Sequence, residues 1–221
     1  MKPLDRVRAE FDEIADLSDA EADRLGPHEA EVLRAVPDGL ASALDAGCGT
    51  GAVVRRLAAR CGQVTGIDLS PRMIAQARSR SAELANVDFR LASLEDWLAE
   101  ERSYDLITAM AVLHHLELAP AVTAVVRALA PEGWLVIVDL IDRSGWRNIP
   151  INVFAKLHTL GTAPRRRALR RAWSHHGEGE TYLTISQARE TFGRLLPGCE
   201  VREHLFWRYS VVWRKPAWHV A

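Results

Sequence analysis

A chain of 221 residues is long enough to bury a substantial core, and one α/β domain of roughly 200 residues is a common size. Its formal net charge of -1 excludes a general attraction to nucleic acid or anionic lipid. Cys48, Cys61 and Cys199 lack the paired spacing of a structural zinc site and suit a reducing cytoplasm, and no apolar run reaches the roughly 20 residues that cross a bilayer.

In chain order, Leu4, Val7, Phe11, Ile14 and Leu17 recur at helical intervals, and a second helix is predicted over Glu29–Val36. From Ser42 short apolar runs alternate with longer amphipathic ones, the pattern of βαβ units around a parallel sheet. Strands are predicted at Ala43–Ala46, Val64–Asp68, Val87–Leu91, Asp105–Ala109 and Trp134–Leu140. Helices are predicted between them at Ala52–Arg60, Pro71–Leu84, Leu94–Ala99 and Ala121–Leu129, with Pro71 and Pro120 near helix starts. Asp142–Thr184 fits neither period and reads as an inserted cap. A last helix over Ile185–Leu196 precedes an alternating stretch, Val201–Arg214, that suggests two strands closing the sheet in antiparallel fashion. The expected architecture is one doubly wound α/β domain with a seven-stranded sheet and an antiparallel final strand. Its parts are a helical cover at 1–41, a ligand-binding core at 42–141, the cap at 142–184, and a closing helix and strands at 185–221.

The segment DAGCGTG, Asp45–Gly51, joins a strand to a helix, so Gly47, Gly49 and Gly51 let the backbone approach a ligand at the sheet's carboxyl edge. The spacing is GxGxG rather than GxGxxG, and Asp45 stands just before it. A carboxylate there repels a pyrophosphate but suits a ligand that carries an ammonium and a sulfonium. The next strand ends in GIDLS and places Asp68 about twenty residues after the first glycine, where an acid accepts hydrogen bonds from ribose hydroxyls.

With DAGCGTG, GIDLSPRMIAQAR, VDFRLASLEDW, YDLITAMAVLHHL and LAPEGWLVIVD in this order, the chain resembles the class I S-adenosylmethionine-dependent methyltransferases from about Ser42 to Leu140. The resemblance implies a Rossmann-like fold and S-adenosylmethionine as cofactor. It implies that the first motif, Cys48 included, cradles the methionine part, that Asp68 binds ribose, and that Leu69 packs on adenine. Met73 either fills the adenine wall or packs between helices. Many relatives carry an acid where this chain has Ser93; its hydroxyl can still accept from the adenine amino group with Leu94 serving a ring nitrogen, or it can cap the helix that begins at Leu94. Met110 is implied as a backbone contact near the methyl group.

His114 and His115 follow Met110. A neutral imidazole can take the proton of a hydroxyl or amine as the methyl moves, and histidine suits this at neutral pH; packing or positioning is the competing role. Phe11 in the first helix and Trp146, Phe154 and Trp173 in the cap are candidates to line a substrate pocket, with core packing as the alternative. In PRRRALRRAW the arginines repeat at helical spacing, which gives a solvated basic face or a face that recognises an anionic substrate or a carrier protein. No motif of nucleic-acid amino or C5 methylation is present, so a small biosynthetic metabolite is expected as acceptor, methylated on oxygen in preference to nitrogen or carbon. No metal, nucleic-acid or membrane partner is expected, and a homodimer is left open. The cofactor half would look the same in an enzyme that uses the bound cofactor without methyl transfer, or in a non-catalytic binding module.

Overall fold

The structure is a computed structural model and describes residues 3–17, 30, 33–142, 182–204 and 207–217. Helix α1 (Leu4–Leu17) precedes β1 (Leu40–Ala46), α2 (Ala52–Ala58), β2 (Cys61–Asp68), α3 (Pro71–Arg80), β3 (Val87–Leu91) and α4 (Leu94–Leu98). Then come β4 (Tyr104–Met110), a 3₁₀ turn (Leu113–His115), α5 (Leu118–Arg127), β5 (Leu129–Leu140), α6 (Ile185–Leu195), β6 (Glu200–His204) and β7 (Arg208–Arg214). The strands form one sheet in the order β3-β2-β1-β4-β5-β7-β6. β1 to β5 pair in parallel, while β7 is antiparallel to both β5 and β6.

Alternate residues of the central strands point to opposite faces, as a period of two requires. On one face Leu44, Ile107, Leu135 and Ile137 pack with α4, α5 and α6 through Leu94, Leu98, Val122, Val125 and Phe192. On the other, Ala43, Leu106, Val136 and Val138 pack with α2 and α3 through Val54, Leu57, Ile74 and Ala77. Both faces are therefore covered, which is why these strands read as continuous apolar runs rather than alternating ones.

The expected seven-stranded, doubly wound sheet is what the structure shows, with local differences in the boundaries. β2 begins at Cys61 rather than Val64 because Gly62 lets the strands close: a Cβ there would lie 2.7 Å from the Ala41 carbonyl oxygen. β5 begins at Leu129 rather than Trp134, running through an irregularity where the register with β4 shifts between Tyr104 and Leu106. Glu132 in that stretch has a positive φ of 62°, the geometry of a bulge that a turn-rich LAPEG sequence accommodates. The helix expected over Ala121–Leu129 starts earlier, at Leu118.

α6 is started by a capping box: Thr184 Oγ1 accepts from Gln187 N at 3.3 Å and Gln187 Oε1 accepts from Thr184 N at 2.9 Å. Of the predicted helix over Glu29–Val36, Glu29, Glu31 and Val32 lie outside the described residues and Arg34–Val36 form a turn and bend rather than helix; nearly all of the predicted cap also lies outside the described residues, as do Trp146, Phe154, Trp173 and the basic PRRRALRRAW run. The two described ends of the cap segment meet. Ile141 bridges Leu183, and Asp142 N donates to Leu183 O at 2.9 Å. The connection thus leaves and re-enters at the carboxyl end of β5.

Candidate cofactor and active site

β1, β2, β4 and β5 end together at one edge of the sheet, so the residues just past their carboxyl ends converge. The loop after β1 is held in place by two backbone–backbone hydrogen bonds and one to a side chain. Cys48 N donates to Ile67 O at 2.9 Å, Gly51 N to Cys48 O at 2.9 Å, and Gly49 N to the Asp68 side chain at 2.9 Å. Gly47 and Gly51 have φ of 67° and 85°, a region that side chains rarely adopt. Their lack of a side chain also serves the protein's own packing. A Cβ on Gly47 would lie 2.2 Å from Val112 Cγ2, and one on Gly51 would press on Phe89 and Ala77 at 3.1 and 3.2 Å. Gly49 differs, because its Cβ position faces open space with nothing within 4 Å. That is the side on which a ligand has room.

Asp68, at the end of β2, is buried; its Oδ2 accepts from Gly49 N and its Oδ1 from Ser70 N at 2.8 Å, and the Leu69 backbone adds a further hydrogen bond to the carboxylate. Burial raises its pKa, the Ser70 and Gly49 amides work against that rise, and the Asp12 charge adds to it. A carboxylate has about four lone-pair sites, so capacity remains for a ligand hydroxyl. Leu69 beside it is half-buried. The Asp45 side chain is wholly buried, and Thr108 Oγ1 on β4 donates to its Oδ1 at 2.6 Å. Burial pushes its pKa up to about 7 against the Thr108 hydrogen bond, and the Asp68 charge contributes in the same direction as burial. Two acids flanking one loop, with no paired cation among the described residues, fit a cationic ligand.

Cys48 is buried among Val53, Val54 and Phe89, and burial followed by the Asp68 and Asp45 charges raises its thiol pKa well above the ordinary value. Ser93 caps α4, its Oγ accepting from Asp96 N at 3.0 Å. Ala92 N donates to Asp68 O at 3.1 Å, which brings Ser93 and the buried Leu94 beside the acid. Met73 is buried against Ile14, Ala15 and Phe11 of α1, so its helix-packing role is realised.

Helix α1 is fastened to α3 directly behind Asp68. Ser70, the α3 N-cap, accepts from Met73 N at 3.0 Å and donates its hydroxyl to Asp12 at 2.5 Å. Arg72 pairs with Asp16, and Gln76 Nε2 donates to Ala15 O at 2.5 Å. Phe11 from the same helix meets the His115 ring edge-on at 5.9 Å. The first helix therefore touches both the Asp68 side and the histidine side of the site.

Met110 ends β4 half-buried, and Ala111 follows with a φ of 58° and its N–H bonded to Val138 O at 2.7 Å. A left-handed alanine costs roughly 1–2 kcal/mol, and strain of this kind clusters where a chain must present specific groups. It turns the backbone into the 3₁₀ segment that carries His114 and His115. The His114 Nδ1 lies 2.6 Å from Asp139 Oδ1 at the end of β5, and the His114 backbone N–H donates to Oδ2 at 3.1 Å. The sequence reading did not pick out Asp139, Thr108, Ser70, Asp12 or Tyr182. An acid closing the apolar run LVIVDL was the available signal for Asp139. Among the described residues no group of acids, histidines and cysteines could hold a metal ion.

A glycine cradle open on one side, an acid on the next strand and a doubly wound sheet define a Rossmann-like domain built for a nucleoside cofactor. Residues 43–133 match the model of the methyltransferase domain family. The ubiquinone biosynthesis O-methyltransferase of Xanthomonas axonopodis pv. citri (strain 306) is 37% identical over 136 residues, covering 56% of this chain and 55% of that protein. The chain spans about half the length of the first such relatives it matches, 55% and 51%. The structure of the DhpI–SAH complex superposes with a TM-score of 0.67 at 24% identity, covering 96% of this chain and 95% of that one. The N-methyltransferase NodS from Bradyrhizobium japonicum WM9, in complex with S-adenosyl-L-homocysteine, superposes with a TM-score of 0.64 at 20% identity, covering 95% and 98%. Residues 43–133 are thus similar to the methyltransferase domain family, on a fold shared with these solved structures.

Proposed function

We propose that the chain methylates a small biosynthetic metabolite at the expense of S-adenosylmethionine, on oxygen in preference to nitrogen or carbon. The observation that carries this reading is the bridging carboxylate of Asp68, tied to Gly49 and Ser70 with acceptor capacity left over, next to the open space above Gly49. When bound, S-adenosylmethionine supplies an electrophilic methyl group on a sulfonium. Asp68 binds the ribose hydroxyls, Leu69 packs on adenine, and the Ser93–Leu94 turn lies at the adenine edge. The backbone of Gly47, Cys48, Gly49 and Gly51 holds the methionine part, and Asp45 provides the negative field that an ammonium and a sulfonium call for. Met110 presents backbone beside the methyl group, while His114, His115 and Phe11 face the acceptor.

The enzyme's contribution is then orientation and exclusion of water, which for two aligned reactants lowers the barrier by several kcal/mol, up to about 11. Preference for oxygen is supported by the O-methyltransferase relative; NodS, an N-methyltransferase on the same fold, is the reason to test it. The near-neutral charge supports a small acceptor rather than a nucleic acid. The described free thiols suit the cytoplasm, and no described helix is long and apolar enough to cross a membrane.

Calorimetric titration with S-adenosylhomocysteine tests the cofactor assignment. Each charge-assisted hydrogen bond from a ribose hydroxyl is worth on the order of 1.5–3 kcal/mol. Asp68→Ala is therefore expected to weaken binding by about tenfold or more, with unchanged affinity refuting the role given to Asp68. A mass-spectrometric screen of metabolites with methyl-labelled cofactor would identify the acceptor.

A further inference from the structure

The closest pairing of ionisable groups in the site lies outside the cofactor cradle. Neighbouring strands bring it about: Met110 at the end of β4 is in register with Val138 of β5, so the turn after β4 lies over Asp139. The Asp139 carboxylate accepts from the His114 backbone N–H at 3.1 Å and from Leu140 N at 2.8 Å, and its Oδ1 is 2.6 Å from His114 Nδ1. The side chains are 6% and 2% exposed. An ionised carboxylate only accepts hydrogen bonds, so the proton of a neutral His114 resides on Nδ1. Nε2 then carries a lone pair, and it is buried with no hydrogen-bond partner among the described residues. A buried acceptor of this kind is costly to leave unsatisfied.

The titratable groups facing the pair are His115, whose ring is 3.9 Å from that of His114, Tyr182, edge-on to His114 at 5.3 Å, and Tyr209, in register with Asp139. Gly47 packs against Val112 two residues before His114, so the turn that carries His114 adjoins the glycine loop.

We propose that Asp139 is a positioning residue that locks His114 in its Nδ1–H form, and that Nε2 takes the proton of a hydroxyl-bearing acceptor; this rests on the methyl-transfer reading above. The acceptor oxygen forms its bond to the methyl carbon as the carbon–sulfur bond breaks, with that electron pair returning to sulfur and neutralising the sulfonium. The hydroxyl proton passes to Nε2, leaving an imidazolium stabilised by the Asp139 carboxylate, and later departs to water. The substrate class follows from this balance. An acceptor must have a proton to give up, as phenols and alcohols do and thioethers and tertiary amines do not.

The test is nitrogen-15 NMR of the His114 imidazole in the full chain without ligand, with His114→Gln to assign its signals. The expected spectrum shows the proton on Nδ1 and a bare Nε2. Asp139→Asn keeps the shape but presents an amide N–H to the ring, and is expected to shift the proton to Nε2. Both variants should bind S-adenosylhomocysteine within about threefold of the wild type. With simple phenols and methyl-labelled S-adenosylmethionine, both are expected to lose about 100-fold or more in kcat with little change in KM. A wild-type ring carrying its proton on Nε2 overturns the proposal whether or not any phenol is turned over, and so does undiminished phenol methylation by His114→Gln. Failure of the wild type to bind S-adenosylhomocysteine would instead sink the cofactor reading and leave the tautomer result standing.

Discussion

Asp45 holds its place at the rim of the glycine loop with a hydroxyl, Thr108, as its hydrogen-bond partner rather than a cation. An unfolded aspartate titrates near 3.9, whereas folded Asp45 is pushed up to about 7. Between those values the folded chain retains a proton that the unfolded chain has lost. Stability therefore falls as pH rises across that window, and the loss levels off above the folded value. Asp68 shifts the same way, so Asp45→Asn is expected to flatten the dependence without abolishing it. Thermal melts at intervals between about pH 5 and 8 check this, and a variant whose melting temperature keeps the wild-type slope would show that Asp45 is not the buried titrating group. The glycines change their meaning at the same scale. Sequence reading assigned all three to backbone approach by a ligand. Gly47 and Gly51 are needed by Val112, Phe89 and Ala77 of the protein itself, and Gly49 is left facing the open side.

Helix α4 spans only Leu94–Leu98, and its start depends on the Ser93 hydroxyl that accepts from Asp96 N. Replacing such a cap by alanine costs about 1 kcal/mol. Ser93→Ala is expected to lose that much in denaturant unfolding while S-adenosylhomocysteine affinity stays within about twofold. Weakened binding at unchanged stability would reassign the hydroxyl to adenine. Elements were largely legible in the sequence because each βαβ unit carries its own local pattern. The Asp45–Gly51 turn and Asp68 stood out for the same reason. Partnerships across elements were not legible. Asp139 meets His114, and Thr108 meets Asp45, only because β4 lies between β1 and β5. Asp12 reaches Ser70 only because α1 folds back on α3, and that same docking assigns Met73 to the helix interface. The sheet order and the return of α1 are long-range facts that no single stretch of sequence encodes.

At the scale of the whole molecule, the sheet gathers the cofactor loop of β1, the acid of β2, the histidine turn of β4 and the acid of β5 along one edge. The first helix touches both ends of that row, through Asp12 and Phe11. In the proposed function such an arrangement places two reactants beside each other, and one fold hosts many chemistries. The most direct test of the account incubates the purified chain with methyl-labelled S-adenosylmethionine and a metabolite extract, then separates the products by chromatography with mass detection. The account predicts S-adenosylhomocysteine and an acceptor heavier by one labelled methyl group in equal amounts. Conversion of a metabolite with S-adenosylmethionine recovered intact would contradict it.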